Sequence, residues 1–439
     1  MNPYPTYKDS SLPWLGDIPM QWKVIPLKYF LDINDHTLSE NTSADYVIEY
    51  LDISNVGSTG IIGPTQRFVF KDAPSRARRI VKSGDTVIST VRTYLKAIAH
   101  FDNSVDNLVA STGFAVLTPC KGVLPKYISY LVHGYAFINQ VTVASKGVNY
   151  PAITSVELGS IKIVATTDYA EQAAIVSYLD RKTADIERFI SKKKQLITTL
   201  NEQKTAIINR AVTKGLNPNV PMKASGVEWL GEVPAHWEIT RVKYLFREIN
   251  RRSAEGEGGR HLSMSQKFGL VDQAKVGDGL AATDNQDGFK KCEVNDLVLN
   301  KLKSHLGVFA VANQDGLVSP DYAVYQLKAD GEIHYFERLF KTKAYIAEFT
   351  KAANGIVIGF MRLYTPDFFN IPCLCPPPLE QKAIMQFINA EVEKVDSIIA
   401  RIVREIELIN EYRTTLISDA VTGKIDVRQA EGMAEILTT

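Results

Sequence analysis

This chain is written twice, and that constrains its fold more than anything else in it. Trp14-Leu15-Gly16-Asp17-Ile18-Pro19 followed by Trp22 recurs as Trp229-Leu230-Gly231-Glu232-Val233-Pro234 followed by Trp237, and Lys28-Tyr29 recurs as Lys243-Tyr244. The offset is 215 residues, and the two copies contain all four tryptophans. Even Asn2-Pro3 has an echo in Asn217-Pro218. A second match sets Glu171-Gln172-Ala173-Ala174-Ile175 against Glu380-Gln381-Lys382-Ala383-Ile384, and closes with Ala211-Val212-Thr213 against Ala420-Val421-Thr422, both at an offset of 209. Self-similarity of this kind makes the fold a duplicated unit rather than a single continuous design.

Between the landmarks of the second match each copy lacks Gly and Pro, and its apolar residues step by three and four, which predicts one long helix per copy. Ile388, Val392, Val395, Ile399, Ile402, Ile406, Ile409 and Leu416 form an a/d-type seam; Leu179, Ile186, Leu200 and Ile207 hold the same phase in the first copy, broken at Lys193. A narrow apolar stripe kept in register this long must be buried against a partner helix. The other copy is the obvious partner. At ~1.5 Å per residue each helix is about 60 Å long.

Two segments, roughly 20 to 165 and 235 to 372, look like short strands and turns mixed with a few helices, and match only faintly. Gly84-Asp85-Thr86-Val87-Ile88-Ser89 resembles Asn295-Asp296-Leu297-Val298-Leu299-Asn300, where a turn leads into a strand. Phe114-Ala115-Val116 resembles Tyr322-Ala323-Val324, and Ser145-Lys146-Gly147 resembles Ala353-Asn354-Gly355. The expected fold class is α+β: two α/β heads separated by two long antiparallel coiled-coil helices, with a pseudo-two-fold internal repeat. The expected domains are a first head over 1–166, a central helix over 167–214, a linker and second head over 215–372, and a distal helix with a tail over 373–439. In the linker Lys214 to Ser225, Gly215 and two prolines end the first helix. The tail from Asp426 is short and polar, and fraying is expected there.

Composition excludes several classes. No window approaches the ~18 to 20 consecutive apolar residues of a membrane span, and the first residues carry no signal-like pattern, so a soluble, cytoplasmic protein is expected. Cys120, Cys292, Cys373 and Cys375 are too few and too scattered for a disulfide framework, and Cys-x-Cys without nearby histidine is poor zinc spacing. The net charge is +1, so any nucleic-acid footprint must lie in local charge rather than in the whole chain.

Heads at opposite ends of an antiparallel rod would read two half-sites whose separation the protein sets, and unlike heads need no palindrome. The Trp-Leu-Gly-x-(Ile/Val)-Pro-x-x-Trp opening, the helix start Pro377-Pro378-Leu379-Glu380-Gln381 and the tandem layout resemble the specificity subunits of type I restriction-modification systems. The likeness spans nearly the whole chain. Its first copy departs in having Thr166-Thr167-Asp168-Tyr169-Ala170 for the proline-rich lead-in, and Lys193 in the seam. The resemblance implies two target-recognition domains for double-stranded DNA, and helices that dock two modification subunits and two restriction/translocase subunits. It places S-adenosylmethionine, ATP and magnesium on those partners and no cofactor on this chain. Alternatives are service to a modification-only or fused type II-like enzyme, or a coiled-coil scaffold for other proteins.

Lysine and arginine on phosphates supply affinity, whereas hydrogen bonds to base edges supply specificity. From Lys71 to Lys96 the first head sets Lys71, Arg76, Arg78, Arg79, Lys82, Arg92 and Lys96 against Asp72 and Asp85, its most basic stretch. Ser89, Thr90, Arg92, Thr93, Tyr94 and Lys96 follow a strand on what should be a loop, and Asn300, Lys301, Lys303 and His305 take the equivalent place in the second head. A glycine loop offers Lys146, Asn149 and Tyr150; its counterpart Asn354-Gly355-Ile356-Val357-Ile358-Gly359 offers Asn354, with Arg362 just beyond. Glycine there permits close approach of backbone to DNA. For any one of these residues the plain alternative is a solvated basic face. The paired tryptophans read as anchors of each head on its helix rather than base-stacking platforms, and Lys192-Lys193-Lys194 as a solvated run. No catalytic residue is assigned. The sequence has no phosphate-loop motif, and Pro366-Asp367 followed by Glu380-Gln381-Lys382 only imitates a metal nuclease pattern, because Ala173 replaces Lys382 in the first copy.

Overall fold

The computed structural model describes residues 3–58, 60–103, 105–254, 259–265, 268–273, 288–328, 330–355 and 361–428. The two expected long helices are present: a central helix, Tyr169–Lys214, of 46 residues and a distal helix, Pro378–Val421, of 44. Asp168 Oδ1 accepts the Ala170 N–H at 2.9 Å, capping the first donors of the central helix. The distal helix opens on Pro378, whose fixed φ and missing N–H suit a first turn. Both end on a left-handed glycine, Gly215 at φ +76° and Gly423 at φ +74°. Beyond the distal helix the Gly423 N–H reaches the Ala420 oxygen at 3.4 Å and the Lys424 N–H the Asp419 oxygen at 2.9 Å, a paired closure that needs a residue free of a Cβ penalty.

The chain divides into two compact units, Met1–Lys194 with Val403–Thr439, and Gln195–Ile402, so each unit holds one end of both helices. In the first unit Lys193 Nζ meets Glu405 Oε2 at 2.7 Å, while Ile175, Leu179 and Ile186 share a core with Leu416, Ala420 and Val421. In the second, Lys204 Nζ meets Asp396 Oδ1 at 2.6 Å, and Ala211 and Val212 share a core with Ile384 and Ile388. Rising numbers on one helix meet falling numbers on the other, so the pairing is antiparallel within each unit. Along the distal seam Ile388, Val395, Ile402 and Leu416 are buried, whereas Ile398, Val403 and Leu408, off the seam, are exposed. The break at Lys193 is thus filled by an interhelical ion pair.

Each head is built on the same antiparallel sheet. Its strand order is Ile98–His100, Thr86–Ser89, Phe114–Pro119, Leu31–Ile33 in the first head, and Phe309–Val311, Leu297–Asn300, Tyr322–Leu327, Phe246–Ile249 in the second. The faint sequence matches therefore mark equivalent strands, and the two central ones, Thr86–Ser89 and Leu297–Asn300, are buried throughout. The first head adds a mixed sheet ordered Gln66–Val69, Val47–Leu51, Leu108–Ser111, Ala77–Ile80.

Two repeated features tie each head to its helices. Trp22 and Trp237 are fully buried, and a Cβ on Gly423 or on Gly215 would lie 3.3 Å from the respective indole, so each tryptophan packs on the glycine that ends a helix. Trp14, by contrast, is 49% exposed, and Trp229 meets Tyr345 edge-on at 4.8 Å. Gln172 and Gln381 are buried clamps: each Oε1 accepts a head N–H, from Leu124 or Glu332, at 2.9 Å, and each Nε2 donates to the chain just before its helix, at Thr166 or Pro376. The start of the tail departs from the fraying expected of it. Val427 is buried in the first head's core, and Arg428 pairs with Asp426 at 2.6 Å and lies over the Tyr4 ring, because that face of the head is apolar and acidic together. Cys373 and Cys375 lie on the strand Pro372–Cys375, where burial pushes both thiols up and keeps them protonated.

Candidate nucleic-acid interface

The two loops that the sequence offers separately are joined edge to edge, and in the same way in both heads. In the first, Thr90 leaves its strand with its N–H on the Gly113 oxygen at 2.8 Å, and its own oxygen accepts the Ile153 N–H at 2.9 Å. Lys146 and Ala152 exchange both backbone bonds, at 2.8 and 2.9 Å, closing the glycine loop. In the second head the Leu363 N–H reaches the Lys301 oxygen at 3.2 Å, and Asn354 and Arg362 exchange both bonds at 2.9 Å. Ile356, Val357, Ile358 and Gly359 of the second glycine loop lie outside the described residues. No local sequence signal announces the joining, which is a strand-like pairing between segments some sixty residues apart.

The hydroxyl residues build this rim rather than face outward. Ser89, Thr90 and Thr93 are buried; Thr90 Oγ1 donates to the Gly113 oxygen at 2.9 Å, and Thr93 Oγ1 is 2.8 Å from Ser145 Oγ. In the second head Asn300 is buried, with its Oδ1 accepting the Leu302 N–H at 3.1 Å. Gly147, at φ +111°, serves the loop itself, since a Cβ there would lie 3.0 Å from the Tyr150 oxygen. Arg92, Tyr94, Lys96, Lys146, Asn149 and Tyr150 are exposed. Arg92 and Lys96 both adopt left-handed backbone, at φ 51° and 52°, on either side of the turn Thr93–Leu95. In the second head Gly307 at φ +64° stands where Lys96 does in the first, and Lys303 stands where Arg92 does.

The basic groups differ in what engages them. Lys146 Nζ is 2.6 Å from Glu157 Oε1, a contact that raises the lysine's pKa and helps pull the carboxyl down to about 2. Arg362 pairs with Asp321 at 3.3 Å, and Asn354 Nδ2 donates to Asp367 Oδ2 at 2.9 Å. Arg78 and Arg79 lie on a strand of the mixed sheet, Arg78 over the Phe70 ring and Arg79 bonded to Thr37, with burial lowering the Arg79 pKa. Arg76 is exposed one residue before that strand, and its oxygen accepts the Thr112 N–H at 2.8 Å, beside the Gly113 that holds Thr90. Arg92 has its guanidinium over the Tyr150 ring, 4.9 Å from the centroid. Among the described residues no carboxylate lies within ion-pair distance of Arg92, Lys96, Lys301 or Lys303. Beneath the second rim, Lys290 is buried with its Nζ donating to the Tyr322 oxygen at 2.7 Å, and burial, with Lys301 nearby, lowers its pKa. His305, four residues after Lys301, is half-buried, with a buried Nδ1 that has no partner among the described residues.

Asp367 is engaged by Asn354, and Glu380 by His236 at 2.7 Å, so the nuclease-like string is split between two structural pairs. Among the described residues no three His, Cys, Asp or Glu side chains gather as a metal-binding group, and no helix is long and apolar enough to cross a membrane.

The fold of this chain is that of solved structures from type I restriction-modification systems, an S subunit among them. A chain solved in work on complex assembly and conformational transition of the type I R-M system matches with a TM-score of 0.67 and 18% identity, over 93% of this chain and 99% of that one. The HsdS subunit from Thermoanaerobacter tengcongensis matches with a TM-score of 0.50 and 18% identity, over 93% and 98%. No family model and no curated protein matches the sequence.

Proposed function

We propose that this chain is the sequence-reading subunit of a type I restriction-modification complex, which recognises a bipartite, asymmetric DNA target with one half-site per head. The observation that carries this reading is the rim of two joined loops, which recurs in both heads on one backbone plan but bears different side chains. A shared frame with unlike exposed residues suits the reading of two unlike half-sites. The long helices would set the spacer and dock two modification and two restriction/translocase subunits. Those partners would bring S-adenosylmethionine, ATP and magnesium, and with them the chemistry. On this chain Arg92, Tyr94, Lys96, Asn149, Tyr150, Lys301 and Lys303 would meet DNA, while Ser89, Thr90, Thr93 and Asn300 would hold their loops in shape.

The full-length chain, alone and with the modification subunits of its own locus, can be offered a pool of randomised duplexes at physiological salt. Two unlike recognition elements at fixed separation, with an affinity that falls steeply as salt rises, are the expected result. Sequence-blind binding, or none in either preparation, would sink the proposal.

A further inference from the structure

We infer that Arg92 is the base-reading residue of the first head and that it reads a guanine in the major groove, with Tyr150 as its positioning platform. This rests on the reading of the chain as a DNA-sequence reader.

Three observations converge on Arg92. The first is selection among the basic groups on the rims: Lys146 is engaged by Glu157 and Arg362 by Asp321, whereas Arg92 is exposed with no carboxylate in reach among the described residues. The second is immobilisation. Arg92 is held in left-handed backbone, its loop is pinned by Thr90 on Gly113 and Thr93 on Ser145, and its guanidinium lies 4.9 Å from the centre of the Tyr150 ring. A non-glycine residue in that conformation is strained, and such outliers persist where the surroundings over-determine them. The third is chemistry. A guanidinium held over an aromatic face keeps its N–H donors at its edge, in a planar fork that matches two adjacent acceptors. Among base edges in the major groove, guanine alone presents two acceptors side by side, N7 and O6. Lys96 and Lys303 are point charges on flexible stems, a form suited to phosphate instead.

The second head supplies an internal comparison. On the same backbone plan Lys303 stands in place of Arg92, with ordinary backbone at φ −116°, and Gly307 stands in place of Lys96. The left-handed backbone therefore recurs at the Lys96 position, as Gly307 at φ +64°, but not at the Arg92 position, so a left-handed Arg92 is not a requirement of the loop.

The test uses the full-length chain with a pool of randomised duplexes, comparing wild type with Arg92→Ala, Arg92→Lys and Tyr150→Ala, each first checked for an unaltered thermal melt. Wild type is expected to select one invariant G·C pair in one half-site. Arg92→Ala relaxes that position alone and weakens the best site by about tenfold to a hundredfold. Arg92→Lys fails to restore it, and Tyr150→Ala loosens it in the same direction. Replacing the selected guanine by 7-deazaguanine, which removes N7, penalises wild type but not Arg92→Ala. If Arg92→Ala instead weakens all duplexes evenly and flattens the salt dependence, Arg92 is a phosphate contact and the inference fails while the reader survives. Loss of preference at an A·T pair, indifference to 7-deazaguanine, or full rescue by lysine overturns it equally. A wild-type chain that selects no sequence, either alone or with the modification subunits of its locus, overturns the functional reading itself.

Discussion

Lys96 separates what the fold needs from what the rim does. Its left-handed backbone costs about 1 to 2 kcal/mol, and glycine, which would remove that strain, gives back about 0.5 to 1 kcal/mol through its freer unfolded chain. Lys96→Gly is therefore expected to leave stability unchanged or raised by up to about 1.5 kcal/mol, while DNA binding weakens and the salt slope falls by about 0.9 for one lost phosphate contact. Denaturant titration and binding across a salt series check both parts, and a destabilised variant would contradict the strain argument. His133 gives a second handle. It is a half-buried group whose Nδ1, 2.7 Å from the Ser129 oxygen, donates to that oxygen. Burial lowers its pKa, Arg413 and His100 reinforce that, and the Ser129 bond opposes it. Because the folded pKa lies below the unfolded value of 6.5, the contribution is fully present above about pH 6.5 and is lost as pH falls towards the folded pKa. Thermal melts from about pH 7.5 to about pH 5 should show stability declining with acidity. His133→Gln should flatten the decline, and an unchanged slope would exclude this histidine as its source.

At the scale of elements, the repeated Glu-Gln motif turns out to be a joint. Gln172→Met removes both clamp bonds and leaves the Leu124 N–H and the Thr166 oxygen without that partner, for an expected loss of about 2 to 4 kcal/mol in denaturant unfolding. A loss below about 0.5 kcal/mol would mean that other groups satisfy both atoms. The motif was legible as a helix start because a repeat of that kind is local. Its clamp was not, since Leu124 and Glu332 lie some fifty residues upstream of their glutamines. Lys193 read only as a defect in the seam, because its partner Glu405 comes from the other helix. Trp22 and Trp237 bear out the anchor reading of the tryptophan motif, while half-exposed Trp14 departs from it, and spacing could not distinguish them.

At the scale of the whole molecule, the two rims belong to separate units and share no residue. If each reads its own half-site, Arg92→Ala and Lys303→Ala should each weaken DNA binding, and their effects on binding free energy should add within about 0.5 kcal/mol in the double variant. Affinity measurements on one selected duplex would close this cycle, and coupling well beyond that margin would mean that both residues act on one site.

The sequence by itself determined the duplication, the two helices and their seam, and the places where loops diverge. All of these rest on periodicity and self-similarity, which are properties of a linear string. Tertiary structure alone decided which exposed residues share a surface: it buried Ser89, Thr90, Thr93 and Asn300, engaged Lys146 and Arg362 in ion pairs, and set Arg92 on Tyr150. The physical reason is that a residue's burial and partners depend on strand pairings between segments remote in sequence, and composition carries no record of them.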